Sequence, residues 1–121
     1  MVELYRLRCV TCHTGDPSLS DHDILRWHRE TPQWEVKQVD GIRHLERVFI
    51  FKSFAEAIAF TTEVAKLAVQ EKHHPFIVID YDEVTLKWWT HKVQGLHLND
   101  FIMAAKVDNL IRLNHPRCRF I

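Results

Sequence analysis

Apolar and polar positions along this chain follow helical spacing in some stretches and strict alternation in others, and the changes of period mark out its elements. Ser20 stands where an N-cap belongs, Asp21 and Asp23 fall in the first turn, and Ile24, Leu25 and His28 share a face until Pro32 forbids continuation. Trp34 to Lys37 alternates, Asp40-Gly41 signals a hairpin turn, and Ile42 to Phe51 resumes as a long strand. Ser53-Phe54-Ala55-Glu56 then forms a capping box. Phe54, Ile58, Thr61, Ala65 and Ala68 recur behind it at helical spacing, and Ala57, Phe60, Val64 and Leu67 widen the stripe. Pro75 blocks this principal helix from extending and biases His74 away from helical angles, so His73 and His74 should diverge.

Phe76 to Ile79 reads as a buried strand, Asp80 to Glu83 as a turn, and Val84 to His91 as a final strand. Alternation places Val84, Leu86 and Trp88 on one face and Thr85, Lys87, Trp89 and His91 on the other, so His91 should point away from the core into a cleft. Gly95 permits a tight connection. A last helix is expected from Leu98 to Arg112 with Ile102, Ala105, Val107, Leu110 and Ile111 inward. The order α-β-β-α-β-β-α predicts an α+β fold, a four-stranded antiparallel sheet with three helices packed on one face. Residues 20–112 form the expected domain, 1–19 an N-terminal extension, and 113–121 a tail without an assigned structure.

A chain of 121 residues suffices for one core, and 46% hydrophobic with 26% charged residues is ordinary globular composition. Sixteen basic and sixteen acidic residues cancel, which removes the cationic excess that sequence-independent nucleic-acid binding needs. No apolar run approaches the ~20 residues of a bilayer span. The first eight residues, Met1 to Arg8, are too charged for a signal-peptide core, so a cytoplasmic protein is expected. Three cysteines in a reducing compartment do not suggest a disulfide framework.

Two groupings could carry chemistry. Cys9-Val10-Thr11-Cys12-His13 fits the pattern of covalent haem attachment, but that reading needs export and a distal ligand, and no export signal is present. A zinc site there would borrow its fourth ligand from Cys118, His22 or His115, so reduced thiols in an extension are the simpler expectation. The second grouping is His73-His74 at a helix exit and His91 at a strand end, imidazoles suited to acid–base work near neutral pH. Taken alone, adjacent histidines before a proline describe a solvated helix end, and a metal site built on these three lacks a carboxylate or thiol at obvious spacing. Asp100 reads as a favourable charge in the first turn of the last helix. Trp88 reads as core, Trp89 as either pocket wall or oligomer contact, and His44, His97 and His115 as surface.

His73-His74-Pro75, Tyr81, Thr90-His91 and the run Gly95-Leu96-His97-Leu98-Asn99-Asp100-Phe101-Ile102-Met103-Ala104-Ala105 resemble the bacterial branch of the pterin-4a-carbinolamine dehydratases. The resemblance covers residues 20–112, most specifically 71–108. It implies the same α+β fold and dehydration of 4a-hydroxytetrahydrobiopterin to the quinonoid dihydropterin, which recycles the pterin of aromatic amino acid hydroxylases. The pterin is then the substrate, with no cofactor and no metal. By the same resemblance His73, His74 and His91 are the catalytic set, and Lys72, Trp89, Thr90 and Lys92 join them around the substrate. A homodimer or homotetramer, a functional link to phenylalanine hydroxylase, and an alternative role as a non-enzymatic dimerisation or transcriptional coactivator module follow from it as well. Four positions before His73, where many relatives carry an acidic or other polar group, this chain has Val69; Glu71 is a candidate substitute, although a helix aims it roughly 200° away.

Overall fold

In a computed structural model that describes residues 3–114 and 119–120, the chain runs α1 (Asp21–His28), β1 (Glu35–Val39), β2 (Ile42–Ile50), α2 (Phe54–Glu71), β3 (Phe76–Asp80), β4 (Glu83–Trp88), α3 (Leu98–Asn114) and β5 (Arg119–Phe120). Three helices and four main antiparallel strands in the expected order make this an α+β fold. The sheet order is β1-β2-β4-β3, and β5, within the tail that the sequence left unassigned, adds a short pairing to the end of β2. Asp40 and Gly41 both take positive φ, as a two-residue hairpin turn requires.

Period-two burial is clearest in the central pair. Leu45 and Phe49 of β2 face inward opposite Trp88 and Val84 of β4, and all four are completely buried. Phe60 of α2 packs at 4.9 Å from Phe49, and Trp34 meets Phe49 edge-on at 6.1 Å. From α3, Phe101, Ile102, Met103, Ala104, Ala105, Val107 and Ile111 enter the core, with Leu110 partly buried at its margin.

Two expected helix faces are rotated. In α2 the buried stripe is Ala57, Phe60, Val64 and Ala68, while Phe54 and Ile58 are exposed. Apolar residues cover more than half of this helix's circumference, so periodicity alone admits both stripes, and contact of Phe60 with the rings of Phe49 and Phe51 selects one. In α1 only Ile24 is buried and Leu25 faces outward. His44 is buried, not at the surface, and His97 is half-buried at the start of α3; His115 lies outside the described residues.

The start of α2 is capped as read: Ser53 Oγ accepts the Glu56 N–H at 3.2 Å, while the Glu56 carboxylate accepts the N–H of Lys52 instead of Ser53. Ser53→Ala is expected to cost about 1 kcal/mol, a fall of about 3–5 °C in Tm measurable by thermal melting followed by circular dichroism.

Candidate active site

The exit of α2 and the start of α3 position the central group. Lys72 ends α2 in a left-handed conformation (φ 55°), and the His73 N–H bonds back to Ala68 O at 3.1 Å, closing the helix three residues before Pro75 could interfere. This reversal carries His73 inward, its side chain only 14% exposed, and leaves the His74 side chain outward. The imidazole of His73 stacks on Trp88, with ring centroids 5.6 Å apart and planes 13° from parallel. Its Nε2 lies 2.7 Å from Asp100 Oδ1.

Asp100 is fully buried and has three donors around it. Besides His73, its Oδ2 accepts the Thr90 hydroxyl at 2.8 Å and the His97 backbone N–H at 2.9 Å. The last of these is the backward half of a capping box, so the reading of Asp100 as a first-turn charge on α3 is correct but incomplete. One carboxylate caps α3, ties down Thr90 and grips His73. A carboxylate oxygen can only accept, so the proton of this bond sits on His73 Nε2 and Nδ1 is the nitrogen left for other chemistry.

Strand β4 ends at Trp88, three residues earlier than alternation suggested. Thr90 exchanges backbone bonds with Gly95, and His91 to Val93 form a 3-10 turn inside that bridge. The Thr90 hydroxyl bond to the Asp100 carboxylate and this turn outcompete continued pairing, although β2 extends three residues past Leu45, the partner of Trp88. His91 is therefore exposed on a turn, 4.9 Å ring to ring from Trp89.

All seven residues singled out from the sequence, Lys72, His73, His74, Trp89, Thr90, His91 and Lys92, line one cavity of about 590 Å³. Val69 is 79% exposed and is not among the cavity's lining residues; the acidic neighbour of His73 comes from α3 as Asp100. Glu71 is no substitute for it. Its carboxylate accepts the Cys9 N–H at 2.8 Å and pairs with Arg8 Nε at 2.7 Å. Burial opposes its charge, yet the Cys9 N–H together with Lys106 and Arg8 holds it below the usual carboxylate range.

Residues 8–12 of the extension form part of the same cavity's wall, which no periodicity announced. Their thiols are shielded: burial, then Glu71, pushes Cys9 up to about 12, and burial also raises Cys12. Among the described residues no group of three His, Cys, Asp or Glu side chains gathers in a way that could hold a metal ion; Cys118 and His115 lie outside those residues. Nor is any described helix long and apolar enough to cross a membrane.

Comparison with known proteins agrees with this architecture. The chain is 29% identical to the transcriptional coactivator/pterin dehydratase of Brucella melitensis, whose crystal structure superposes with a TM-score of 0.69 over 77% of this chain and 97% of that one. Relatives from Nitrosococcus oceani and Chlorobium luteolum are 45% and 43% identical over 112 residues, which is 93% of this chain and 99% and 98% of theirs. Both bear the name "Putative pterin-4-alpha-carbinolamine dehydratase". The family described as pterin 4 alpha carbinolamine dehydratase matches residues 17–110, and with that match and these relatives the chain belongs to this family.

Proposed function

We infer that the chain dehydrates 4a-hydroxytetrahydrobiopterin to quinonoid dihydrobiopterin by histidine acid–base catalysis, with the pterin as substrate and neither metal nor cofactor taking part. The reaction breaks the C4a–O bond, with a proton delivered to the departing hydroxyl to give water. The N5 proton is withdrawn as the C4a=N5 bond forms, so no net proton is consumed. Each transfer is typically worth about 10²- to 10⁴-fold when a side chain is positioned for it.

The observation that carries this reading is the His73–Asp100 contact inside the cavity. With Nε2 donating to Asp100, the uncharged imidazole of His73 offers Nδ1 as a lone pair, which suits the base that takes the N5 proton. His91, exposed on its turn and in exchange with solvent, suits the acid that protonates the hydroxyl. His74 and Lys72 orient the ring, and Trp89 supplies a flat contact. The enzyme works in the cytoplasm as a homodimer or homotetramer and returns pterin to an aromatic amino acid hydroxylase such as phenylalanine hydroxylase.

The test is to generate the carbinolamine with a hydroxylase and follow its decay optically with and without the protein. Wild type accelerates the decay; absence of acceleration ends the enzymatic reading. His91→Ala should lower kcat about 10²-fold with little change in Tm, because the ring is exposed on its turn and rests beside Trp89.

A second reading is that the chain is a dimerisation or coactivator module. The description of the Brucella melitensis protein as a transcriptional coactivator favours it, as do Phe76 and Val78, exposed apolar residues on the outer face of β3. Binding that survives His73→Ala would belong to that role.

A further inference from the structure

The geometry points to residues 8–12 as a specificity-determining wall that reads the C6 substituent of the pterin, held in place by Glu71 and Asn99 as positioning residues. The segment lies wholly outside the span that the family matches, residues 17–110, yet the structure builds it into the site. Asn99 treats it like a neighbouring strand: its Oδ1 accepts the Val10 N–H at 2.9 Å and its Nδ2 donates to Val10 O at 2.7 Å. Glu71 takes the Cys9 N–H and the Arg8 guanidinium, and Lys92 Nζ donates to Cys12 O at 3.3 Å. Farther out, Lys106 Nζ bonds Tyr5 O at 2.9 Å, and Leu19 N–H bonds Leu96 O at 2.8 Å. The strap is thus tied at both ends and in the middle.

Its position relative to the chemistry decides what it can read. Residues 8–12 line the same cavity as His73, the histidine assigned to the N5 proton, and Asn99, which holds the strap, adjoins Asp100, which holds His73. In a pterin the C6 carbon is bonded to N5. Whatever C6 carries therefore sits close to His73, in the cavity that the strap helps to line. A cavity of about 590 Å³ is in the range that encloses a ring system together with its substituent. The strap offers an exposed Thr11 hydroxyl, an exposed Val10 side chain and the Arg8 cation at its rim, a surface matched to a short hydroxylated chain. The thiols of Cys9 and Cys12 turn instead toward Asn99, at 3.9 Å from its carbonyl and 3.4 Å from its amide nitrogen respectively.

This inference rests on the dehydratase reading, and the experiment separates the two. Full-length Thr11→Trp fills the wall at an exposed position, and Asn99→Ala releases it. Each variant is assayed with the carbinolamines of tetrahydrobiopterin and of 6-methyltetrahydropterin. In parallel, fluorescence quenching measures binding of the unreactive 7,8-dihydrobiopterin and 6-methyl-7,8-dihydropterin, and Tm is recorded. For Thr11→Trp, KM and Kd for the biopterin forms should rise at least tenfold and those for the 6-methyl forms less than threefold, at unchanged Tm. Asn99→Ala should blunt the preference between the two substituents. Turnover by wild type with KM and Kd unmoved in Thr11→Trp, or moved equally for both substituents, overturns the strap proposal and leaves the dehydratase reading standing. Wild type that binds but does not turn over, with Thr11→Trp still discriminating, sinks the reaction and keeps the wall. Wild type that neither binds nor turns over removes both.

Discussion

Replacing His73 with alanine lowers kcat for carbinolamine dehydration by on the order of 10²- to 10⁴-fold, the full value of one positioned proton-transfer group. His73 is the only imidazole of the three that is held on two sides, stacked on Trp88 and bonded to Asp100, so its position in the cavity is fixed before substrate arrives. The same contacts mean that the variant also loses stability. Alanine leaves Asp100 Oδ1 without its donor in a fully buried setting and uncovers the face of Trp88, a penalty of about 1–3 kcal/mol. Rate and stability must therefore be measured together, and His73→Gln, which keeps a side-chain donor within reach of Asp100 but no proton-accepting ring, separates them. The expected result is a Tm closer to wild type in His73→Gln than in His73→Ala, with kcat equally low in both. Recovery of kcat alongside Tm in His73→Gln would mean that the imidazole serves packing and that the base lies elsewhere.

Local rules and the family resemblance together disclosed the site. Thr90 and His91 were expected on a strand that ends at Trp88, and the resemblance marked them, with Lys72, Trp89 and Lys92, as pocket residues; the helix exit at His73 and His74 was legible from Pro75 nearby. The hairpin at Asp40-Gly41 and the cap at Ser53 were legible for the same reason: each is decided within four residues. Misreadings arose wherever a distant partner decided the outcome. Which stripe of α2 is buried depends on Phe49 and Phe51, far off in sequence on β2 and its exit. Glu71 was a candidate for the acidic group missing at Val69, and its partners are Arg8 and Cys9 at the other end of the chain. The strap has no period at all because Asn99 and Glu71 side chains, not a ladder, satisfy its backbone. Asp100 was half-read: its capping role is visible from His97 three residues before it, whereas its hold on His73 spans 27 positions.

Asp100→Asn tests the arrangement at its most exacting point, because it is nearly isosteric while it removes the carboxylate charge and turns one acceptor oxygen into a donor. Two donors, the Thr90 hydroxyl and the His97 N–H, converge on Oδ2, and one, His73 Nε2, meets Oδ1. An asparagine satisfies the pair only by turning its carbonyl oxygen toward Thr90 and His97, which points its NH₂ at His73. Nε2 must then accept, and the ring proton moves to Nδ1, the nitrogen that wild type keeps free for the N5 proton. The expected consequence is a fall in kcat of roughly 10²- to 10³-fold with KM changed less than about threefold, since the cavity's shape is preserved and only the base is in the wrong tautomer. Nitrogen NMR of His73 supplies a readout that a merely structural role for Asp100 would not move: the protonated ring nitrogen should switch from Nε2 to Nδ1. A variant that keeps the wild-type tautomer and the wild-type kcat would show that Asp100 caps α3 and does nothing for the histidine, and the assignment of His73 as the base would go with it.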